Sequence, residues 1–316
     1  MIGAAESYSA AMPAPAYVAR RVSRSRHVDA RHLRHHVLEW GDPARATPQR
    51  PTLVMLHGWM DVAASFQFVV DALQADRHVL ALDWRGFGLS TWPAVDSYWF
   101  ADYLGDLEAV LDALLPPEQP IDLLGHSMGG NVVMVYAGVR PQRVRRLVNL
   151  EGFGMPTTRP EQAPRRYAQW LDELKQPARL RSYASVDAVA DRLRENNPLL
   201  SIAKAAWLAP HWSRRTAGGE WEILGDAAHK RVSPILYQRD EALACWALIT
   251  APLLWVEGDR SDPSKWWGQR YSKAEFHERL TAVRDVVKHT LAPAGHMLHH
   301  DQPEALAAHL EAFLDA

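Results

Sequence analysis

Only one cysteine, Cys245, occurs in 316 residues, which excludes an internal disulfide framework and fits a reducing compartment. The chain also lacks the stretch of about 18 consecutive apolar residues that a helix needs to cross a bilayer. Its first fifteen residues are rich in Ala, Pro and Ser and have neither the basic region nor the apolar core of a secretory signal. Residues 1–15 are therefore expected to form a flexible leader, and the protein to be cytoplasmic. An excess of one charge is missing as well. Lys and Arg number 35 against 37 Asp and Glu, a net charge of −2, so no overall field favours nucleic acid or an anionic membrane. The glycines of Asp83-Trp84-Arg85-Gly86-Phe87-Gly88-Leu89-Ser90 lack the Gly-x-Gly-x-x-Gly spacing of a nucleotide loop and read as turn chemistry. Cys245 sits in the apolar run Ala242–Leu248, where a buried structural thiol is expected rather than a nucleophile.

What is present is an ordinary globular composition, 47% hydrophobic and 23% charged. Short, nearly continuous apolar runs at Pro51–Leu56, His78–Leu82 and Ile121–Leu124 have the character of strands buried on both faces of a parallel sheet. Between them, Ser65–Ala75 and Tyr98–Leu115 carry apolar residues at helical spacing. Val144–Leu150, Pro252–Val256 and Arg284–Leu291 continue the strands, and Pro303–Leu314 closes with a helix. Alternating strands and helices predict a doubly wound α/β sheet over residues 16–151 and 251–316. The Arg and His residues between Arg20 and His36 alternate with Val and Leu, as on the outer face of one or two strands. Residues 152–250 break the pattern with Pro-punctuated helical pieces and many tryptophans. An insertion of that length is too long for an ordinary loop and predicts a helical cap over the sheet edge.

The chemistry is concentrated at Gly125-His126-Ser127-Met128-Gly129, between an apolar strand and an amphipathic helix. A serine on such a turn has strained dihedrals and an exposed hydroxyl, and small neighbours let the turn close. A serine nucleophile needs a base, and the base an orienting acid. Gly295-His296-Met297-Leu298-His299-His300-Asp301 follows the last strand, and His296 stands nearest to that strand. His299 and His300 are expected behind it or in solvent. A metal-binding reading of this histidine tract lacks a matching carboxylate set elsewhere. Glu257-Gly258-Asp259-Arg260-Ser261-Asp262 offers acids after its strand; Asp262 is the expected partner of His296, with Asp259 and Glu151 as alternatives. An oxyanion hole is expected from the N–H groups of Trp59, in His57-Gly58-Trp59-Met60, and of Met128.

Leu56-His57-Gly58-Trp59, Asp83–Ser90, Gly125–Asn131 and Gly295–Leu298 with Gln302-Pro303-Glu304 stand in the order found in the α/β-hydrolase superfamily, which the chain resembles from about Arg34 onward. Tyr98–Tyr103, Leu150–Gly154 and Glu195–Leu200 are similar to its serum-hydrolase-like, carboxylesterase-like branch. The resemblance implies the α/β-hydrolase fold, an eight-stranded, mostly parallel sheet with a helical lid, and neither cofactor nor metal. The family's usual acid follows a glycine by three residues, where this chain has Ser261, and Asp262 is one position late. Glu151 matches the position that some haloalkane dehalogenases use, although their aspartate nucleophile is absent here. The expected activity is cleavage of an ester or related acyl bond of a small, largely apolar substrate, by a monomer or homodimer. Carbon–carbon bond hydrolysis or lactone opening is the alternative on the same fold, and would need a cap arginine (Arg165, Arg166, Arg192, Arg194, Arg214 or Arg215) facing the serine. A non-catalytic receptor on the same scaffold is the third reading. Trp170, Trp207, Trp212, Trp221 and Trp246, with Trp266 and Trp267, are expected to divide between pocket wall and the seam joining cap to sheet.

Overall fold

The computed structural model describes residues 15–316, so all but the last residue of the expected leader lies outside the described residues. β1 (Arg24–Ala30) and β2 (Leu33–Trp40) form a hairpin whose turn residues Arg31 and His32 both have positive φ, 48° and 64°. That is the backbone a two-residue type I′ turn requires. There follow β3 (Leu53–Leu56), α1 (Gln67–Ala72), β4 (Val79–Leu82), α2 (Phe100–Leu114), β5 (Ile121–His126), α3 (Met128–Val139) and β6 (Val144–Leu150). Residues 152–250 supply α4 (Ala163–Leu174), β7 (Ser182–Tyr183), α5 (Val186–Asn196), α6 (Ile202–Trp212), β8 (Ser213–Arg215), β9 (Trp221–Ile223) and α7 (Arg239–Trp246). The chain ends with β10 (Leu253–Gly258), α8 (Ser264–Trp267), α9 (Lys273–Arg279), β11 (Val286–Leu291), α10 (Leu298–Asp301) and α11 (Pro303–Leu314).

Eight strands make one sheet in the order β1-β2-β4-β3-β5-β6-β10-β11. β2 is antiparallel to both its neighbours, and every pair from β4 to β11 is parallel. Strand alternation sorts the apolar residues into two cores. Val54, Leu56, Leu80, Leu82 and Leu123 pack with Leu107, Leu111, Val132 and Val133 of α2 and α3. Leu53, Met55, Ala81, Leu124 and Val148 pack with Val69 and Val70 of α1 and Leu306 and Leu310 of α11. Both faces being covered is why these strands read as unbroken apolar runs. Each such Leu or Val contributes about 1.5–3 kcal/mol by leaving water. The parallel direction has one functional consequence: β3, β5, β6, β10 and β11 all end at the same sheet edge.

Three features differ from the sequence expectation. The segment 152–250 holds a small antiparallel sheet, β7-β9-β8, besides its helices. Its strands have two or three residues, too few to show a period of two. His35 and His36 on β2 are buried, not outward, because β2 is an inner strand and His36 bonds the Asp83 carboxylate at 2.6 Å. Cys245 is only partly buried. Among the described residues no helix is long and apolar enough to cross a membrane.

The tryptophans of segment 152–250 mostly serve as seam. Trp207, Trp212 and Trp221 pack around a cluster formed by Phe68, Val62 and helices α5 and α6, and Trp212 Nε1 donates to Ser65 Oγ at 3.2 Å. Trp246 is buried in the α2–α3 core, and Trp170 Nε1 donates to Ser97 Oγ.

Candidate active site

Ser127 sits between β5 and α3 with φ 53° and ψ −114°, a conformation that costs a non-glycine residue about 1–3 kcal/mol. The surrounding structure holds it there. Its N–H donates to Leu150 O at 2.8 Å, and its carbonyl accepts the first helical bond, from Asn131 N at 3.0 Å. Glycines flank it because backbone passes too close for any side chain. A Cβ on Gly125 would stand 2.3 Å from Gly129 O, and one on Gly129 would stand 2.3 Å from Leu56 O. The α3 amides ahead of Asn131, that of Met128 first among them, have no acceptor within the helix and face the elbow.

His296 lies between β11 and α10. Its Nε2 is 2.9 Å from Ser127 Oγ, and its Nδ1 is 2.7 Å from Glu151 Oε2. Glu151 leaves the end of β6 at φ 56° and is buried. Besides the histidine, its carboxylate accepts from Gly258 N at 2.7 Å and from Ser261 Oγ at 2.5 Å. Three donors thus fix a carboxylate under the imidazole, so Nδ1 carries the proton and Nε2 presents its lone pair to the serine hydroxyl.

Asp262, expected against His296, is elsewhere. It is exposed, and its two oxygens accept from Ser264 N at 2.9 Å and Ser264 Oγ at 2.7 Å, bonds that hold its carboxyl below the usual value. The reason is register: the inward position on this turn belongs to Ser261, and its successor faces out. Ser261 stands where the family resemblance places the acid, and its hydroxyl donates to the Glu151 carboxylate. Asp259 accepts from Ala294 N at 2.8 Å and so braces the segment leading to His296.

The loop after β3 runs beside the serine: a Cβ on Gly58 would be 3.1 Å from Ser127 Cβ. His57 is buried and ties the loop down. Its Nε2 accepts from Trp84 N at 3.1 Å, so its Nδ1 donates to Gly58 O at 2.7 Å. Pinning the Gly58 carbonyl turns the N–H of Trp59, on the same trans peptide, to the opposite side. Met60 has φ 54°; with Ser127 and Glu151, three of the five non-glycine residues at positive φ among the described residues belong to this edge. Trp266 packs edge-on against the His296 ring at 4.5 Å, and Trp59 and Trp266 remain 51% and 46% exposed, an apolar lip beside the serine.

His299 and His300 are buried rather than solvated, because α10 turns inward against Phe66 and Phe68. His126, next to the serine, was not singled out in the sequence; its Nε2 donates to His296 O at 2.8 Å. Burial, with His299 and His296 nearby, lowers its pKa well below the ordinary histidine value. Asp61, also missed, accepts from Val62 N at 2.8 Å and from the Ser65 hydroxyl. Burial pushes its carboxyl up, but the His299 contact outweighs this and holds it below its usual range. Burial raises the Cys245 thiol, so no activated cysteine is present there. Of the arginines weighed in residues 152–250, Arg192 and Arg214 are exposed and paired with Glu195 and Glu222.

An eight-stranded sheet with a strained serine after β5 and a histidine after β11 defines an α/β hydrolase. A family model described as the alpha/beta hydrolase fold matches residues 51–303, and the chain belongs to that family. It is similar to a serine hydrolase-like protein of Danio rerio, 31% identical over 188 residues; the match spans 57% of this chain and 55% of that protein's length. It is 26% identical over 285 residues to a cis-3-alkyl-4-alkyloxetan-2-one decarboxylase of Shewanella oneidensis, covering 84% of this chain and 82% of the relative. Among solved structures, a hypothetical protein of Pseudomonas aeruginosa PAO1 aligns with a TM-score of 0.79 at 26% identity, over 92% of this chain and 99% of that one.

Proposed function

We propose that this protein is a serine hydrolase of the carboxylesterase type, with Ser127 as nucleophile, His296 as general base and acid, and Glu151 as the acid of the triad. The observation that supports the reading is the unbroken relay from Ser127 Oγ through both nitrogens of His296 to a buried carboxylate, at 2.9 and 2.7 Å. His296 Nε2 takes the serine proton as Oγ bonds to the acyl carbon of the substrate. The N–H groups of Trp59 and Met128 receive the oxyanion. His296 returns its proton to the leaving alkoxide, which departs as an alcohol and leaves an acyl-serine. Water, deprotonated by the same nitrogen, then releases the carboxylic acid and restores Ser127. Glu151 holds the Nδ1 proton in place and stabilises the imidazolium at both steps. The exposed rings of Trp59 and Trp266 favour an apolar acyl or alcohol group, and residues 152–250 act as the cap that encloses it.

A fluorophosphonate probe tests the nucleophile directly. Wild-type protein is expected to be labelled and to hydrolyse short p-nitrophenyl esters, and Ser127→Ala to do neither. Equal labelling of the two proteins would overturn the proposal. Turnover of lactones or dienoate diketones in place of esters would retain the nucleophile but replace the substrate class.

A further inference from the structure

Directly behind the elbow, three buried side chains turn unpartnered polar atoms toward one another. Asp61 Oδ2, His126 Nδ1 and both ring nitrogens of His299 have no hydrogen-bond partner among the described residues; Asp61 Oδ2 and His299 Nε2 face each other at 3.7 Å, an ion-pair contact too long for a hydrogen bond. One donor atom from each of the three lies within 4.8 Å of the other two. Every one of these groups is aimed by contacts on its far side. Asp61 Oδ1 is occupied by Val62 N and the Ser65 hydroxyl, which leaves Oδ2 facing inward. The proton of His126 is on Nε2, donated to His296 O at 2.8 Å, so Nδ1 offers a bare lone pair. His299 is held between the rings of His126, at 4.4 Å, and Phe66, at 5.4 Å.

Two imidazoles and a carboxylate form a donor set of the kind zinc selects. An imidazole whose other nitrogen donates to a backbone carbonyl is held as metal-ligating histidines usually are. We propose that Asp61, His126 and His299 form a buried site for a zinc-type divalent cation, separate from the hydrolytic triad. The loop after β3 supplies the carboxylate that the histidine tract lacks in sequence. Binding would draw the three donor atoms to about 3.3 Å apart around the ion, with water completing the tetrahedron. Because His126 also carries the His296 carbonyl, an ion here stiffens the loop that presents the catalytic imidazole.

Since the site is enclosed, the metal must enter during folding, and the test begins with protein purified from zinc-supplemented cells. After dialysis against a chelator, wild-type protein is expected to retain about one zinc per chain by elemental analysis. His299→Gln and Asp61→Asn are expected to lose it, and His296→Ala to keep it. Chelator-resistant zinc absent from wild type, surviving in His299→Gln, or lost in His296→Ala overturns the proposal; the last result would place the metal on the triad. Should either ligand variant fail to fold, X-ray absorption on the wild-type protein decides. Two imidazole nitrogens with a carboxylate oxygen support the site, and a shell of solvent oxygens overturns it.

Discussion

Glu151 departs from β6 at φ 56°, and its side chain crosses to the end of β10, where Gly258 N–H, Ser261 hydroxyl and His296 Nδ1 converge on one carboxylate. A glutamine there keeps the shape but removes the charge that stabilises the imidazolium, and its NH₂ group competes with one of the three donors. Glu151→Gln is therefore expected to lower kcat by about 10³–10⁴ with KM little changed, as when a triad acid loses its charge without losing its geometry. Asp262→Asn alters only an exposed turn, and its kcat is expected to stay within about twofold of wild type. Steady-state kinetics on one ester, run on both variants, checks the pair. A collapse of activity in Asp262→Asn with activity retained in Glu151→Gln would restore the assignment drawn from the sequence. Ser261→Ala removes one donor to the carboxylate and should cost less than Glu151→Gln, about 1 kcal/mol in kcat/KM.

At the scale of elements, the elbow depends on β5, α3 and the end of β3 meeting without side chains between them. Gly129→Ala would put a Cβ 2.3 Å from Leu56 O and 2.7 Å from His57 O, both backbone atoms that cannot rotate away. The variant is expected to lose at least about 2–3 kcal/mol of stability, the upper part of the overpacking range, together with the reactivity of Ser127. Urea unfolding measures the first, and the fluorophosphonate label the second. A variant of wild-type midpoint and full labelling would mean that the β3–α3 contact is looser than this geometry. On the other face of the sheet, α11 packs Leu306 and Leu310 into the core with no solvent exposure. Leu310→Ala is expected to destabilise the protein by about 2–5 kcal/mol while leaving KM unchanged, because that face is remote from the serine.

Over the whole molecule, several histidines are buried in forms that resist protonation. Burial lowers the pKa of His126 and His300 well below the ordinary value, takes His229 down to about 3, and lowers His35. In the unfolded chain these groups titrate normally, near 6.5, so below that pH the unfolded state takes up protons that the folded state does not. Their stabilisation is complete above about 6.5 and is lost as pH falls, at up to about 1.4 kcal/mol per pH unit for each histidine. Asp122, pushed up to about 6 by burial against the pull of Arg145 and Arg77, works in the opposite direction, one group against four. Asp61 and Asp83 are held below the usual carboxylate range and add a further loss only below about pH 4. The urea midpoint is thus expected to fall between about pH 7.5 and about pH 5.5. A flat midpoint over that interval would contradict the neutral burial of these imidazoles.

Local rules in the chain itself determined the sheet, the elbow and its order of parts. Runs such as Leu53–Leu56 and Val79–Leu82 are apolar throughout because both faces of the sheet are covered, and that needs no knowledge of partners. Gly125-His126-Ser127-Met128-Gly129 is legible because the close approach of backbone leaves no alternative to glycine. The partner of His296 was not legible in this way. Glu151, Asp259 and Asp262 all follow strands that end at the same edge, and the choice among them is a matter of which side chain points inward across 145 residues of sequence separation. Only the tertiary structure decides that, by turning Ser261 in and Asp262 out. The same holds for Asp61, His126 and His299, which come from the loop after β3, the end of β5 and helix α10 and carry no shared spacing. Sequence determined that a serine would be presented at this edge; the packing of β6 against β10 decided which carboxylate stands behind its histidine.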